Sequence, residues 1–374
     1  NESFEINAFL AQSSRLNDIL LARMDALGPD NKNLIKLSSV IGDVFAEDEI
    51  SELLNSNEDV SEKLKTLQIQ NIIAPIDMPT PDGFKRNRFQ HVLLREVAYS
   101  NLLNKDRQRL HLMLAKWIAA KTDWQDRWTP EEVAHHFAES ENAIEALPYW
   151  TLAAERAEKI GAYKEAISSC VKALTTINTS NFPQANIDDT RLRIYRIMAP
   201  SIIASKGRLN PETITFFETA VPHCLRFPDN PDSYSVLWCW WRIGQNLSEM
   251  NKRAKTLLEL ASSSNLAELE MQSHHCLWAV NFLKGHHDEV FENVKKGLDL
   301  YQPDRDEEGI ARFGGHDAKV CGVGELALSN WVCGKPVTAK GYLEECLSNA
   351  NGLNHKGSLL HALDIAAIYN IISN

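Results

Sequence analysis

A repeated helical pattern in the second part of the chain limits the fold more than any other feature of this sequence. In the segment GAYKEAISSCVKAL, a turn glycine, small residues suited to helix contacts and apolar anchors recur at helical spacing: Gly161, Tyr163, Ala166, Ile167, Ala173 and Leu174. A glycine between two such stretches is typical of a turn between antiparallel helices. The pattern therefore predicts pairs of helices over most of the chain after residue 105.

The spacing of these pairs is similar to that of tetratricopeptide hairpins. The same inter-helix turn is predicted near Gly207, Glu249, Gly285 and Gly334, at intervals of 46, 42, 36 and 49 residues. These intervals are longer and less regular than the roughly 34 residues of the standard repeat. Irregular hairpins still stack, because each buries its apolar face only against its neighbours. We predict an irregular α-α superhelix over residues 146–374.

The end of the chain continues this pattern. The stretch HKGSLLHALDIAAIYNIISN is expected to form the first helix of a further pair. Its partner is not in the sequence, which predicts a fragment of a longer protein.

The first hundred residues have a different organisation. Apolar periodicity predicts helices over 15–27, 31–41, 46–55, 58–68 and 90–103, and a TPDG turn between NIIAPIDMP and FKRNRFQ predicts two short strands. Helices with a two-stranded wing predict a winged-helix domain over residues 1–104. A helical connector is expected over 105–145. The predicted fold class is all-α, with the wing as its only β structure.

Composition narrows the classes of function. The 374 residues are enough for two or more domains, and no apolar run reaches the roughly 18 residues that a membrane span needs. The net charge of −11 argues against a largely nucleic-acid-binding surface. Seven cysteines without a CxxC pair favour free thiols in a reducing compartment. No secretory signal is recognisable at the N-terminus, and a cytoplasmic location is expected.

Several segments, taken in order, resemble one known protein family. They are LNDILLARMDALGP, VIGDVF, RFQHVLLREVAYSNLL, HHFAES, AIEALPYWTLAAERA with GAYKEAI, and GGHDAKVCGVGELALSNWVCG. Together they are similar to the region after the ATPase core in bacterial STAND-type (AAA-related) signalling ATPases, most of all those fused to class III adenylate/guanylate cyclase domains. The likeness spans most of residues 12–365.

The resemblance implies a regulatory arm and not an enzyme. The sequence has no GxxxxGK[ST] phosphate loop and no recognisable pair of metal-binding cyclase carboxylates. ATP or ADP with Mg²⁺ would therefore belong to the parent protein, and this chain would hold no cofactor. The implied partners are the adjacent nucleotide-binding domain and a protein, peptide or small molecule on the concave face of the repeats, with no DNA and no membrane.

The resemblance also implies a role for His91. In STAND ATPases the histidine at the matching position is thought to contact the phosphates of the bound nucleotide and to hold the resting, ADP-bound state. An imidazole at a helix N-terminus suits this role, since it can donate a hydrogen bond to an anion that the helix dipole also attracts. The alternative is a hydrogen bond from His91 to a neighbouring backbone carbonyl.

A winged helix can instead bind DNA. The helix at the usual recognition position, NEDVSEKLKTLQ, mixes acidic and basic residues, whereas a major-groove reader needs basic and amide side chains. The only basic cluster is Lys85, Arg86 and Arg88 on the wing. We predict no DNA binding.

The histidines of the repeats allow two interpretations. His275, His316, Asp317, Cys321 and His361 could approach one another and would suit zinc or another transition metal. Alternatively, in GGHDAKVCGVGELAL, two glycines form the turn, Asp317 caps the next helix and His316 braces the loop. The second interpretation is favoured, and no metal site is predicted.

Further candidates belong to a ligand-binding groove. In VLWCWWRIG, Trp238 and Trp241 share a helix face, whereas Trp240 points elsewhere. Core packing is the main interpretation of these rings, and an exposed one would anchor a ligand. The predicted groove contacts are Tyr234, Trp241, His275, Trp278, Asn281 and His316.

Catalytic and nucleotide motifs are lacking elsewhere. GVGELA matches a loose dinucleotide-binding pattern without its strand, so Gly322 and Gly324 are expected to allow close helix packing. No catalytic residue is predicted, because the sequence has no G-x-S-x-G turn and HHFAES lacks the glutamate of H-E-x-x-H.

The predicted function is a non-catalytic sensor and binding arm of a STAND-type ATPase that controls a linked nucleotide cyclase. A free-standing repeat scaffold for protein–protein interaction and a winged-helix transcription regulator are the alternatives.

Overall fold

The computed structural model describes residues 20–373 except 56–59, 77–82, 84, 180–186, 265 and 311. The described part of the chain is mainly helical and contains one small antiparallel sheet. It divides into two compact units: Asn1–Ala153 with Val171–Phe182, and Ala154–Cys170 with Pro183–Asn374. Within the described ranges, every helix is too short or too polar to cross a membrane.

The N-terminal unit begins with helices that enclose a three-stranded sheet. Residues 20–25 are helical. The elements that follow are α1 (Pro29–Ile41), β1 (Val44–Ala46), α2 (Glu47–Leu54), α3 (Ser61–Ile69), β2 (Ile73–Ile76), β3 (Arg86–Phe89) and α4 (Val92–Ser100). The sheet order is β1-β3-β2, and Val44 and Ile73 pair with Arg88 and Phe89 of β3. Helices and sheet share one apolar core that includes Met24, Ile35, Phe45, Leu64 and Leu94.

Strand β1 corrects the predicted fold, in which the two strands beside the TPDG turn were the only β structure. Val44–Ala46 pairs with β3, and helix α2 begins only at Glu47. A three-residue strand is too short to show the alternation by which strands are recognised in a sequence. A long-range contact instead holds it, since the rings of Phe45 and Phe89 meet edge to face with centroids 5.5 Å apart.

Two further helices complete much of the N-terminal unit: α5 (Asn104–Ala119) and α6 (Pro130–Ala138). Helix α6 starts with a capping box, in which Thr129 Oγ1 accepts from the Glu132 N–H and Glu132 accepts from the Thr129 N–H. Helix α5 packs against α1 and α2. Short 3₁₀ turns lie at Trp124–Asp126 and Ala143–Ala146.

The C-terminal unit consists of helices that pack mainly on their neighbours in sequence, as in repeat proteins. Helices α7 (Leu147–Lys159) and α8 (Tyr163–Thr179) contribute residues to both units. The remaining helices are α9 (Asp188–Lys206), α10 (Pro211–Cys224), α11 (Pro231–Arg242), α12 (Leu247–Ser264), α13 (Ala267–Lys284), α14 (His287–Asp299), α15 (Pro303–Gly309), α16 (Ala318–Val332), α17 (Pro336–Gly352) and α18 (Lys356–Ser373).

Four of the five predicted inter-helix turns are confirmed. Gly161, Gly207, Gly285 and Gly334 lie between helices and have positive φ angles, which glycine adopts without steric cost. The fifth turn, predicted near Glu249, lies just before it at residues 243–246, because Glu249 itself is in the first turn of α12.

Candidate functional site

Histidine and tryptophan rings from α11, α13, α18 and the loop before α16 meet inside the C-terminal unit. We call this group the histidine–tryptophan cluster; its members are Trp238, Trp241, His275, Trp278, His316 and His361. The His275 ring stacks on Trp278 with centroids 4.8 Å apart. The His316 ring meets His275 edge to face at 5.4 Å and stacks on His361 at 4.1 Å.

The GGHD segment places His316 in this cluster. Gly314 and Gly315 have φ angles of 95° and 74°, and a Cβ on Gly314 would lie 2.6 Å from the Trp238 ring. The predicted helix cap is confirmed, because Asp317 Oδ1 accepts from the Val320 N–H at 2.9 Å. The predicted loop brace is confirmed too, because His316 Nδ1 lies 3.2 Å from the carbonyl oxygen of Gly314.

The second oxygen of Asp317 also has a partner. Asp317 Oδ2 accepts from the Tyr301 hydroxyl at 2.8 Å, and the Asp317 N–H donates to Ser358 at 2.9 Å. Asp317 is therefore a structural residue that fixes the start of α16.

Two glycines of α16 allow close packing, as predicted. A Cβ on Gly322 would lie 3.2 Å from Val294, and one on Gly324 would lie 3.0 Å from Ile365. The segment GVGELA is wholly helical. It therefore lacks the strand–turn–helix context of a dinucleotide site.

The residues predicted to contact a ligand in a groove lie in the interior. Tyr234, Trp241, His275, Trp278 and Asn281 are all less than 9% exposed, and His316 is half-buried. The Tyr234 hydroxyl donates to the carbonyl oxygen of Leu269 at 2.9 Å. Ligand contact by these side chains stays a prediction, and their burial means that a ligand would have to enter the unit to reach them.

The three tryptophans of VLWCWW follow the predicted helix geometry. Trp238 and Trp241 are buried and 5.5 Å apart, whereas Trp240 is partly exposed. The Arg253 guanidinium lies 4.4 Å from the Trp240 ring centroid. A cation over the ring face occupies the side on which a ligand would stack.

The cluster is uncharged at neutral pH. Burial lowers the pKa of His316 to about 3 and the pKa of His275 well below its ordinary value. Burial raises the pKa of the adjacent Cys321 thiol well above its ordinary value. The two imidazoles and the thiol are therefore neutral.

Sequence reasoning missed Glu325, which is buried on α16 one turn after Cys321. Burial raises the pKa of its carboxyl to about 8, and Oε2 has no hydrogen-bond partner among the described residues. A signal was available, because Glu325 is the single charged residue in the stretch VCGVGELALSNWVCG. An acid in so apolar a helix is a candidate for function.

A surface pocket of about 510 Å³ lies between α14, α16 and α17. Its lining combines apolar side chains with charges of both signs, which suits a peptide or a polar small molecule. The lining includes Phe291, Lys295, Asp299, Leu326, Lys335, Tyr342 and Glu345. This pocket was not predicted from the sequence.

His91 lies at the N-cap of α4, as predicted, directly after strand β3. Its backbone is extended, with φ −137° and ψ 130°, and its side chain is exposed. Its imidazole makes no hydrogen bond with any residue of the described ranges, so the alternative bond to a backbone carbonyl is not seen there. Beside it, Val92 and Leu93 are 56% and 39% exposed.

Comparison with known proteins gives one sequence relative of substantial length. An uncharacterized protein of Rhizobium meliloti (strain 1021) is 30% identical over 286 residues, which are 75% of this chain and 27% of that protein. The chain thus spans about a quarter of the length of its curated relative. No protein-family model matches the sequence.

Two solved structures are similar at low scores. One is a STAND protein with a tetratricopeptide repeat sensor from Pyrococcus horikoshii, with a TM-score of 0.44 and 13% identity over 95% of this chain and 56% of that chain. The other is a Rap protein complexed with competence and sporulation factor, with a TM-score of 0.38 and 12% identity over 95% of this chain and 99% of that chain. Both TM-scores are too low to establish a shared fold.

Proposed function

We propose that this chain is the non-catalytic sensor and partner-binding arm of a STAND-type signalling ATPase. One observation carries the proposal: a module with an exposed histidine at a helix N-terminus is followed in the same chain by serially packed helical hairpins. The module would contact the nucleotide-binding domain, and the hairpins would bind a protein, peptide or small molecule.

The connectivity of the N-terminal module supports the winged-helix part of the proposal. Its order is α1-β1-α2-α3-β2-β3, and the sheet order β1-β3-β2 places the two wing strands side by side. A helix–helix pair backed by a three-stranded sheet is the arrangement that a winged helix requires. Residues 1–104 are the proposed extent of the domain.

The surroundings of His91 support a nucleotide contact. The N–H groups at the start of α4 and the helix dipole attract an anion, and an exposed imidazole beside them can donate to a phosphate oxygen. Exposed Val92 and Leu93 offer an apolar surface for the neighbouring domain. In the proposal, His91 binds the nucleotide phosphates and stabilises the ADP-bound, resting state.

The pocket between α14, α16 and α17 supports partner binding by the repeats. Lys295 and Lys335 line it together with Asp299 and Glu345, so an incoming ligand meets charges of both signs around apolar side chains. A partner that binds here can alter the nucleotide domain only if it prefers one of two arrangements of the arm. The partner would be a molecule whose charged and apolar groups complement those of the pocket lining.

The activity of the whole protein belongs to the same proposal. In the Rhizobium relative the matched segment lies within a much longer chain, as expected for one arm of a multidomain protein. We propose that ATP or ADP with Mg²⁺ binds the neighbouring ATPase domain, that a linked nucleotide cyclase is the output, and that the protein acts in the cytoplasm.

The test is nucleotide exchange in the longer protein to which we assign this chain. His91→Ala should increase the basal rate of ADP release by about tenfold or more, since one charge-assisted hydrogen bond contributes roughly 1.5–3 kcal/mol. His286→Ala is the matched control, because His286 is also an exposed histidine at a helix N-cap, at the start of α14. Equal release rates in the wild type and both variants would remove the sensing role.

The scaffold and transcription-regulator alternatives make different predictions. A scaffold binds its partner without any response to nucleotide. A regulator binds random duplex DNA with an affinity that falls steeply as salt increases. The proposed arm should instead bind its partner with an affinity that depends on nucleotide, and it should not bind random duplex DNA. On α3, the helix that would read DNA in a regulator, Lys65 pairs with Glu62 at 2.8 Å and Lys63 lies 3.8 Å from Asp30.

A further inference from the structure

Three metal-binding side chains converge inside the C-terminal unit, and the proposed sensor role uses none of them. The ligand atoms of His275, His316 and Cys321 all lie within 4.8 Å of one another. They come from α13, from the loop before α16 and from α16 itself. The fold of the unit therefore brings His275 to His316 and Cys321, which lie close together in sequence.

The hydrogen bonds of the two histidines leave their Nε2 lone pairs free. His316 Nδ1 lies 3.2 Å from the Gly314 carbonyl oxygen, which can only accept, so Nδ1 carries the proton and Nε2 does not. His275 Nδ1 lies 3.1 Å from Gln272 Oε1, which fixes the same tautomer. His316 Nε2 is buried and has no hydrogen-bond partner in the described part of the chain.

Histidines bound to metals are commonly oriented in this way: Nδ1–H donates to an oxygen, and the free Nε2 binds the ion. A buried acceptor without a partner is otherwise unfavourable, and native proteins satisfy nearly all such groups. We propose that His275 Nε2, His316 Nε2 and Cys321 Sγ bind a zinc ion.

The cluster needs only small movements to reach zinc geometry. Tetrahedral zinc with these donors places its ligand atoms about 3.3–3.7 Å apart, so the side chains have to approach one another by roughly 1 Å. Gly314 lies against Trp238 and the His316 ring, and the His316 ring stacks on His361 at 4.1 Å. These contacts hold the imidazole plane while leaving its Nε2 edge open.

Binding requires the loss of one proton. The Cys321 Sγ–H bond breaks, the proton passes to solvent and an Sγ–Zn bond forms, while both imidazoles bind without losing a proton. Two neutral histidines and one thiolate leave a net charge of +1 on the site.

Three protein ligands leave the fourth position of the ion open. Structural zinc sites fill all four positions with protein ligands, whereas an open position accepts water or an exogenous donor. His361 is the nearest further imidazole, but its ring lies parallel to His316 with an interplanar angle of 14°. Parallel rings do not direct their in-plane lone pairs at one ion, so the fourth position is left to water or another exogenous donor.

The decisive experiment uses the untagged full chain, stripped of metal with a chelator and then titrated with Zn²⁺ against a chromophoric competitor. One equivalent should bind. Co²⁺ in place of Zn²⁺ should give the intense visible bands of a tetrahedral site together with thiolate-to-cobalt charge-transfer absorption. Weak octahedral bands without charge transfer would show adventitious surface binding and would overturn the proposal.

Variants separate the site from other cysteines. Cys321→Ser should abolish the charge-transfer absorption and weaken Zn²⁺ binding by more than ~100-fold. Loss of a group that only hydrogen-bonds to a metal ligand already lowers metal affinity by roughly 10–100-fold, and Cys321 would bind the ion itself. Cys346→Ser is the matched control, because Cys346 is an equally buried free thiol that donates to a carbonyl of α16. The control should bind Zn²⁺ as the wild type does.

A third variant covers the case in which Cys321→Ser does not fold. His316→Gln keeps a polar side chain in the loop and removes one ligand, so it should weaken Zn²⁺ binding while leaving the thiolate band of any remaining Co²⁺ complex. Unchanged affinity in His316→Gln, or the same loss of binding in Cys346→Ser as in Cys321→Ser, would contradict the proposed ligand set.

Discussion

A buried chain of hydrogen bonds in the N-terminal unit makes its stability depend on pH. The Tyr99 hydroxyl lies 2.9 Å from His111 Nε2, and His111 Nδ1 lies 2.8 Å from His136 Nδ1. Two Nδ1 atoms at this distance share one proton, so their hydrogen bond is lost when both imidazoles are protonated. Burial lowers the pKa of His111 to about 3 and the pKa of His136 well below its ordinary value.

The lowered pKa values of His111 and His136 determine the sign and the size of the change in stability with pH. The folded unit resists protonation at both histidines, whereas in the unfolded chain each binds a proton below its ordinary pKa of 6.5. Stability is therefore fully present above pH 6.5 and is lost as the pH falls towards 3. Each histidine contributes about 1.4 kcal/mol of loss between pH 7.5 and 5.5, and the pair about 3 kcal/mol.

Hydrogen exchange of the amides in α5 and α6, corrected for the intrinsic pH dependence of exchange, measures this loss within the unit. Protection should fall by about 100-fold between pH 7.5 and 5.5. His136→Gln should lower overall stability and reduce the pH-dependent loss by about 1.4 kcal/mol, the contribution of one histidine. The exposed His286→Gln serves as the control. Equal protection at both pH values, or an unchanged pH dependence in His136→Gln, would refute the reasoning.

Two further predictions concern stability. Arg127→Ala should destabilise the N-terminal unit by about 3–5 kcal/mol in urea denaturation. Arg127 is buried between Asp48 and Glu49, and its loss leaves Glu49 buried without a counter-charge. A loss of stability below about 1 kcal/mol would contradict this prediction. Gly314→Ala should lower the unfolding free energy by about 2 kcal/mol or more, since φ is 95° and the added Cβ would meet Trp238. Gly341→Ala, in open space within α17, should instead raise it by about 0.5–1 kcal/mol, and equal effects of both changes would refute the steric argument.

Much of the helical fold could be predicted, because amphipathic periodicity and turn glycines are local signals. Gly161, Gly207, Gly285 and Gly334 mark real turns for this reason. Strand β1 could not be predicted, since contacts distant in sequence stabilise it: the pairing with β3, the Phe89 ring and the apolar core in which Phe45 is buried. A three-residue segment is too short for its own sequence to show a pattern that predicts pairing with a distant strand.

The candidate site was predictable in composition but not in position. The sequence indicates that His275, His316 and Cys321 could meet, and the cap by Asp317 follows from the GGHD pattern. Helical spacing identifies faces of a helix but does not say which face is turned inward. Tyr234 shows this limit, since its hydroxyl bonds to a carbonyl of α13 inside the unit.

Binding of this chain to the nucleotide-binding domain that we propose as its neighbour, with the two added as separate polypeptides, tests the proposed sensor role most directly. In a sensor, the chain should bind the ADP-loaded domain at least about tenfold more tightly than the ATP-loaded domain, a preference of roughly 1.4 kcal/mol, and His91→Ala should abolish the difference. Equal affinity for the two nucleotide states, or an unchanged preference in His91→Ala, would contradict it.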